Sequence, residues 1–460
     1  MKTENKSKKI HFIGIEGIGM SALAHVCYHK GMIVQGSDRI IGAQSRALMD
    51  KGVNVYLDHD ALHIDRSVHI VVASSAISHD NPEYQAARQM GIPLMHRSEL
   101  LRQLLQSYRI FAVSGTHGKT TTTALLGCCL CHAGMDPFVM VGGIIQGTGK
   151  NFLLGKSNIA VVEADESDKS HLQFDGIDHG IITNIDHDHM DTYNHCWDTL
   201  LDSFVDFVRM AQHRVMMNGN DPGCQELFEK LTHEDRLKIW RYGTHVSHEI
   251  QLLSYRQTPD GMVFSCKTPH GVWKDISLHL WGYHNIMNAL GSLGLALSIG
   301  VCKDTIDQGM RRFAGVQRRM SRVGVYQGIP VIDDYAHHPT AIKSNLQILV
   351  DRGYKKILCV FQPHRYTRLK QNMDAFVDAL FNASLCVILP VYSASEDAID
   401  GATSYDLAEK ISKRQECILY DKGHALFKSF LDDVLNECDY DVIIFFSAGD
   451  VTDLAHRLVK

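Results

Sequence analysis

Arg109-Ile-Phe-Ala-Val-Ser114-Gly115-Thr116-His117-Gly118-Lys119-Thr120-Thr121-Thr122 is the stretch from which the rest of the chain can be read. Four apolar residues between Arg109 and Ser114 have the length and composition of a buried strand. Two glycines then bracket a turn, and the threonines that follow Lys119 open a helical pattern. Glycines let backbone N–H groups close around phosphate oxygens, and a helix N-terminus adds partial positive charge. Lys119 supplies an ammonium for the outer phosphates, and the Thr120 hydroxyl suits a Mg²⁺ ion. Val113 stands where such loops usually carry a first glycine. Gly115, Thr116, His117, Gly118, Lys119, Thr120 and Thr121 are therefore the expected nucleotide-binding residues.

A phosphate loop of this kind needs acidic groups at the tip of a neighbouring strand. Ile159-Ala-Val-Val-Glu163 supplies four apolar residues ending in a carboxylate, which makes Glu163 the expected metal ligand. The acids that follow, Asp165, Glu166 and Asp168, read equally well as solvated loop charges. The next apolar run ends in Asn184-Ile-Asp-His-Asp-His189-Met-Asp191, and this density of Asp and His at a strand end points to a metal role for at least one member.

Working outward, short apolar runs alternate with helix-length amphipathic segments along almost the whole chain, the pattern of βαβ units. Strands are expected at 10–15, 33–36, 69–74 and 92–96, then at 109–114, 159–163, 180–185 and 213–217. A third set falls at 331–333, 357–361, 385–390, 417–419 and 442–446. Helices are expected at 20–29, 82–90, 100–108 and 285–299, and residues 250–280 suggest a small antiparallel patch. The implied class is α/β in three domains: a Rossmann-like domain over 1–108, a central P-loop mononucleotide-binding domain over 109–320, and a Rossmann-like domain over 321–460. A chain of 460 residues fits three domains at about 150 residues each.

Composition narrows the class further. Apolar residues make up 45% and charged residues 21%, an ordinary packed protein rather than a disordered one. With 46 Lys+Arg against 52 Asp+Glu the net charge is −6, a poor match to nucleic acid or an anionic membrane surface. No apolar run approaches bilayer length, and the polar start at 1–9 lacks a secretion-signal core, so a cytoplasmic location is expected. The 12 Cys show no paired CxxC spacing and are expected as buried free thiols.

Gly14-x-x-Gly17-x-Gly19 follows the first strand, and Ser37-Asp38 closes the second. The spacing is reversed relative to the dehydrogenase fingerprint, yet any pyrophosphate needs the same close backbone approach. A dinucleotide and a nucleotide sugar both remain open on this evidence, as does a tight turn that binds nothing.

The motifs Gly115–Thr122, Glu163–Asp168 and Asp188–Tyr193, with His284-Asn285-x-x-Asn288, Arg318-Arg319, Asp333–Pro339 and Phe361–Arg368, together resemble the Mur ligase family. These are ATP-dependent amide ligases of bacterial cell-wall synthesis. The segments 333–339 and 361–368 are most similar to the branch that attaches L-alanine to UDP-N-acetylmuramate. Other branches carry a carbamylated lysine fifteen residues beyond the metal-binding histidine; here Phe204 occupies that place.

The resemblance implies ATP, two Mg²⁺ ions (Mn²⁺ as a substitute), UDP-N-acetylmuramate and L-alanine. It assigns Thr120, Glu163 and His189 to metal, and Lys119, His189, Arg319 and His338 to catalysis. His284, Asn285, Arg319 and Asp334 join the nucleotide site. Gly17, Gly19, Ser37, Asp38, Ser74, Ser75, Tyr335, His338, His364, Arg365 and Arg368 are assigned to the sugar nucleotide and the amino acid. Arg318 and Arg319 also read as a solvated basic turn. A monomer or weak homodimer is expected, with the C-terminal domain closing on nucleotide. The alternatives are a recycling ligase that attaches a whole tripeptide, an NAD-dependent oxidoreductase, and an ATP-gated regulator that ligates nothing.

Overall fold

The computed structural model describes residues 8–394 and 396–459; residues 1–7 of the polar start lie outside it. The chain forms two compact units. The first comprises Met1–His279 and Asn285–Ala314, the second Leu280–His284 and Gly315–Lys460.

The first unit contains two sheets. Strands β1 (Lys9–Ile13), β2 (Ile33–Asp38), β3 (Asn54–Leu57), β4 (Ile70–Ala73) and β5 (Leu94–His96) form a parallel sheet in the order β3-β2-β1-β4-β5. Its helices are α1 (Ile18–His29), α2 (Ala43–Met49), α3 (Pro82–Met90) and α4 (Arg97–Leu105). The expected strand and helix positions are observed here with ends shifted by a few residues, and α3 keeps the expected bounds. Helix α4 begins at Arg97 rather than at 100, because His96 caps it and Glu99 returns a capping-box bond. β3 was not expected: it is a short edge strand with no buried apolar run.

The second sheet has ten strands. They are β6 (Arg109–Ser114), β7 (Phe138–Ile145), β8 (Lys150–Leu153), β9 (Ile159–Glu163), β10 (His179–Ile182), β11 (Val215–Asn218), β12 (Ile239–Gly243), β13 (Ile250–Thr258), β14 (Gly261–Thr268) and β15 (Gly271–Leu278). Their order is β15-β14-β13-β12-β11-β10-β6-β9-β7-β8. The antiparallel patch expected at 250–280 is β13–β15. β6 lies between β10 and β9 and is parallel to both. The loops leaving these three strands therefore share one sheet edge, the place where open α/β sheets bind ligands. Helix α5 (Lys119–His132) follows β6, and α6 (Trp197–Met210) follows the loop after β10. Phe204 of α6 is fully buried, 5.6 Å from the His171 ring, so its site is apolar core.

The second unit carries a six-stranded sheet: β16 (Ser321–Tyr326), β17 (Ile329–Asp334), β18 (Ile357–Phe361), β19 (Leu385–Ile388), β20 (Cys417–Leu419) and β21 (Val442–Phe446), in the order β16-β17-β21-β18-β19-β20. Only β16 is antiparallel among these described strands. β18, β20 and β21 have the expected bounds. All cysteines are free thiols as expected, but instead of being buried Cys128 and Cys417 are half-buried and Cys131, Cys196, Cys302 and Cys438 are exposed. The last three sit in or beside loops and caps, where no packing partner covers them. No helix among the described residues is long and apolar enough to cross a membrane.

Candidate functional site: a phosphate loop, an acidic strand end and a glycine turn

The turn between β6 and α5 is fixed by backbone conformation. Gly115 has φ 125° and Gly118 has φ 84°, both in the region that L side chains rarely adopt. A Cβ on Gly118 would lie 2.7 Å from Asn288 Oδ1, and one on Gly115 would strike the Thr183 hydroxyl. Asn184, just beyond β10, clamps the loop from outside. Its carbonyl accepts from Thr116 N–H at 3.0 Å, and its side-chain oxygen accepts from His117 N–H at 2.8 Å. His117 Nε2 stands 3.2 Å from Asp186 Oδ2. Thr120 and Thr121 lie in the first turn of α5, both buried.

Lys119 is drawn into this turn. Its ammonium donates to Gly115 O at 2.7 Å, to Thr116 O at 3.3 Å and to Glu166 Oε2 at 2.6 Å. Asp165 Oδ1 is 3.5 Å away. Burial opposes the charge on Lys119, but Glu166, Asp165 and Glu163 outweigh it and raise its pKa. Glu166 was expected to be an optional surface acid. It is 2% exposed, and burial pushes its pKa up to about 7 against the pull of Lys119.

Glu163, at the end of β9, accepts the Gly142 N–H at 2.5 Å and a hydrogen bond from the Thr120 hydroxyl. Burial raises its pKa. A hydroxyl and a carboxylate thus converge beside the phosphate loop. These are hard oxygen donors of the kind Mg²⁺ prefers, and the residues fit such an ion. His189 lies in the loop after β10 at φ 55°, with Nε2 3.6 Å from Asp188 Oδ2. Its imidazole is a softer donor than those two.

A cleft of 240 Å³ opens between this sheet and the N-terminal one. Gly19, Leu23, Arg97, Ser98, Gly142, Glu163 and Asp165 are among the residues that line it. Gly19 belongs to the first turn of α1, whose N-cap is Gly17. Arg97 pairs with Asp168 at 2.9 Å across the cleft. Behind the glycine turn, the Ser37 carbonyl accepts the Gly14 and Ile15 N–H groups at 2.8 and 3.0 Å. The Ser37 hydroxyl turns inward and donates to Glu83. Asp38 Oδ2 accepts from Glu16 N–H at 2.9 Å. Ser74 and Ser75 occupy the loop after β4, with Ser75 Oγ 3.0 Å from His96 Nε2. Arg97, Asp165, Glu166, Asn184 and Asn288 were not expected as site residues, although all but Arg97 stand in the sequence runs 163–168, 184–191 and 284–288.

In the second unit Arg318 and Arg319 flank the Tyr335 ring at 4.9 and 5.3 Å, and Arg318 also donates to Ser447 O at 2.6 Å. Arg318 is thus anchored to structure rather than free in solvent. Asp334 is buried, and its two oxygens accept from Met320 and Ala336 N–H at 2.6 and 2.7 Å. Burial pushes its pKa up to about 6, with Arg319 pulling the other way. His338 is buried at the N-cap of helix Pro339–Asp351, and His284 Nδ1 is 3.2 Å from Ser344 Oγ. Beyond β18, His364 stacks on Tyr392 at 5.4 Å. Burial, then Arg368 and Arg365, lower its pKa to about 4. Arg365 bonds Glu396 at 2.5 Å, and Arg368 is buried against His364 at 3.3 Å. Asn285, in the first unit, accepts from Asn288 at 3.2 Å.

Comparison with known proteins gives a consistent picture. The model for the Mur ligase family, catalytic domain, matches residues 9–109. The Mur ligase middle domain matches 113–296, and the Mur ligase glutamate ligase domain matches 318–449. The UDP-N-acetylmuramate--L-alanine ligase of Bartonella bacilliformis is 35% identical, covering 98% of this chain and 95% of that protein. That of Maricaulis maris is 36% identical, covering 98% and 96%. Among solved structures, the UDP-N-acetylmuramate-alanine ligase of Thermotoga maritima superposes with TM-score 0.83 at 28% identity, covering 98% of each chain. A murein peptide ligase from Psychrobacter arcticus reaches TM-score 0.72 at 23% identity, again covering 98% of each, a likeness of fold.

Proposed function

The chain belongs to the Mur ligase family, and from that membership we propose that it joins L-alanine to the lactyl carboxylate of UDP-N-acetylmuramate, splitting ATP to ADP and phosphate, in peptidoglycan precursor synthesis. The observation that carries this reading is the single cleft lined by both Gly19 of the glycine turn and Glu163 of the phosphate-loop sheet. A sugar nucleotide seated on the turn and a triphosphate seated on the loop would bring carboxylate and γ-phosphate to that cleft.

A carboxylate is a poor electrophile. Its oxygen attacks the γ-phosphorus of ATP, the bond to ADP breaks, and an acyl phosphate forms. The alanine amine then attacks the acyl carbon, phosphate leaves, and the amide remains. Both steps bring anions together, so positive charge in a water-poor cleft is the main requirement. The backbone N–H groups of 115–121 and the Lys119 ammonium answer it at the phosphates. Thr120 and Glu163, with His189, would hold Mg²⁺, which supplies further positive charge to the phosphate oxygens; Mn²⁺ has the same charge.

By family resemblance, His284, Asn285, Arg319 and Asp334 serve the nucleotide. Gly17, Gly19, Ser37, Asp38, Ser74 and Ser75 serve the uridine diphosphate part. Tyr335, His338, His364, Arg365 and Arg368 serve the muramyl group and alanine. Ser37 would act through its carbonyl, since its hydroxyl is committed to Glu83. The division 1–108, 109–320 and 321–460 assigns sugar nucleotide, ATP and amino acid to successive domains. A cytoplasmic monomer or weak homodimer completes the proposal.

The test is ADP release across a panel of amino acids, with and without UDP-N-acetylmuramate. L-Alanine should give the highest kcat/KM, and only with the sugar nucleotide present. Turnover with a tripeptide but not with free alanine would assign the recycling reaction instead.

A further inference from the structure

An ammonium has three N–H donors, and in Lys119 the Gly115 carbonyl, the Thr116 carbonyl and Glu166 Oε2 take all three. The side chain is folded back onto its own loop, with no donor left for a phosphate. To meet a triphosphate it must give up at least one of these bonds, and Glu166 holds the strongest, a charged pair at 2.6 Å.

Glu166 is in the opposite position. It is 2% exposed, and its second oxygen, Oε1, has no hydrogen-bond partner among the described residues. Its other charged neighbour repels it: Asp165 precedes it on the same loop. Tyr193 reaches the Glu166 backbone carbonyl with its hydroxyl at 2.6 Å, and burial first raises its pKa to about 12, so it stays neutral. His171 packs behind the same loop, and burial lowers its pKa to about 4, so it too is neutral near pH 7. Lys119 is the cation that favours the ionised form of this buried carboxylate. A buried carboxylate that loses its counter-ion takes up a proton rather than bear the desolvation cost.

We propose that Glu166 is a positioning residue that latches Lys119 in the nucleotide-free protein, and that triphosphate binding breaks the latch and transfers one solvent proton to Glu166. Nothing covalent changes. The ammonium exchanges one anionic partner for another, and Glu166 becomes a neutral carboxylic acid behind the loop. The hydrogen on its oxygen then supplies the donor that Lys119 withdrew. This rests on the reading of residues 115–121 as the nucleotide site. Burial alone favours the outcome, since Glu166 already has a pKa of about 7 while paired.

The experiment is isothermal titration of the full chain with Mg²⁺ and a non-hydrolysable ATP analogue, in buffers of different ionisation enthalpy. At pH 8 the wild type should take up close to one more proton per nucleotide than Glu166→Gln. Between pH 7.5 and 8.5 its Kd should rise by up to about tenfold relative to the variant's. Glu166→Gln should also bind several-fold more tightly at pH 8.5, because a neutral amide holds Lys119 less firmly. The analogue's own titration is common to both proteins and cancels. Equal proton uptake by the two proteins, or weaker binding by Glu166→Gln, overturns the latch. Should the variant fail to fold, wild-type binding without proton uptake overturns it equally. If the analogue does not bind the wild type at all, it is the nucleotide-site reading that fails.

Discussion

Gly115 holds the turn between β6 and α5 in a conformation that only glycine adopts readily. Its φ of 125° and the hydroxyl of Thr183 beside it leave no room for a side chain. Replacing it by alanine forces strain of about 1–3 kcal/mol into the loop. Since 1.4 kcal/mol is tenfold in binding, nucleotide affinity of Gly115→Ala should fall by roughly tenfold to a hundredfold while the melting temperature moves little. Titration with an ATP analogue and a thermal melt check both halves; unchanged affinity would remove the loop from the site. Glu163→Gln keeps shape but loses the charge beside Thr120, and its kcat should fall on the order of 10²–10³-fold, read as ADP release at saturating substrate. The glycines and Lys119 were legible because the chemistry they serve demands those residue types at that spacing. Glu166 was not. A carboxylate in a loop after a strand is usually solvated, and only the folded chain shows this one sealed beneath Lys119.

Among elements, α3 is the instructive one. Asn81 and Pro82 mark its start in the sequence, and the Asn81 side chain indeed caps it by accepting from Glu83 and Tyr84 N–H. The next residue, Glu83, would ordinarily be a solvated first-turn acid. Instead it is fully buried and gathers the Ser37 hydroxyl, His59 Nδ1 at 3.1 Å and His63 Nδ1 at 2.7 Å, with His11 Nε2 at 3.4 Å. Burial would raise its pKa, but His11, Ser37 and His63 prevail and hold it at about 2. A carboxylate whose folded pKa is depressed contributes stability that is complete above its unfolded value of 4.5 and is lost as pH falls toward 2. Glu83→Gln should therefore destabilise the chain at pH 7 by roughly 3 kcal/mol, and the difference from wild type should shrink below pH 4. Urea unfolding at several pH values measures this; a pH-independent difference would point to packing instead. The elements that escaped the sequence have equally local causes. β3 and β8 have four residues each with a polar or charged start, β12 carries Arg241 at its centre, and β7 is broken by Gly142 and Gly143, which weaken a strand reading. Gly142 has its own reason to be there, because a Cβ would lie 3.2 Å from the Glu163 carboxylate that its N–H must reach.

At the scale of the molecule, three sheets were legible from the alternation of apolar runs and amphipathic segments. That the first two sheets share one compact unit was not. They are joined by one continuous apolar core, with α1 against β7 and β8 and the His25 ring 5.3 Å from Phe152, and by isolated polar pairs: Arg97 with Asp168, Ser98 with Gln173, and Asn151 with the Ile18 carbonyl. Each links residues more than 70 positions apart with no pattern to announce it. Their consequence is chemical. Gly19 of the glycine turn and Glu163, whose carboxylate meets Thr120 beside the phosphate loop, line one cleft within one unit; on the proposed function the sugar's carboxylate would meet ATP there, and alanine need only intercept what forms. If so, UDP-N-acetylmuramate carrying oxygen-18 at both lactyl carboxylate oxygens should transfer one labelled atom to each phosphate released and keep the other in the amide. Mass spectrometry of the phosphate decides the matter. Label confined to the product amide would mean that the carboxylate never bonded to phosphorus, and the chain would have to couple ATP to amide formation without an acyl phosphate.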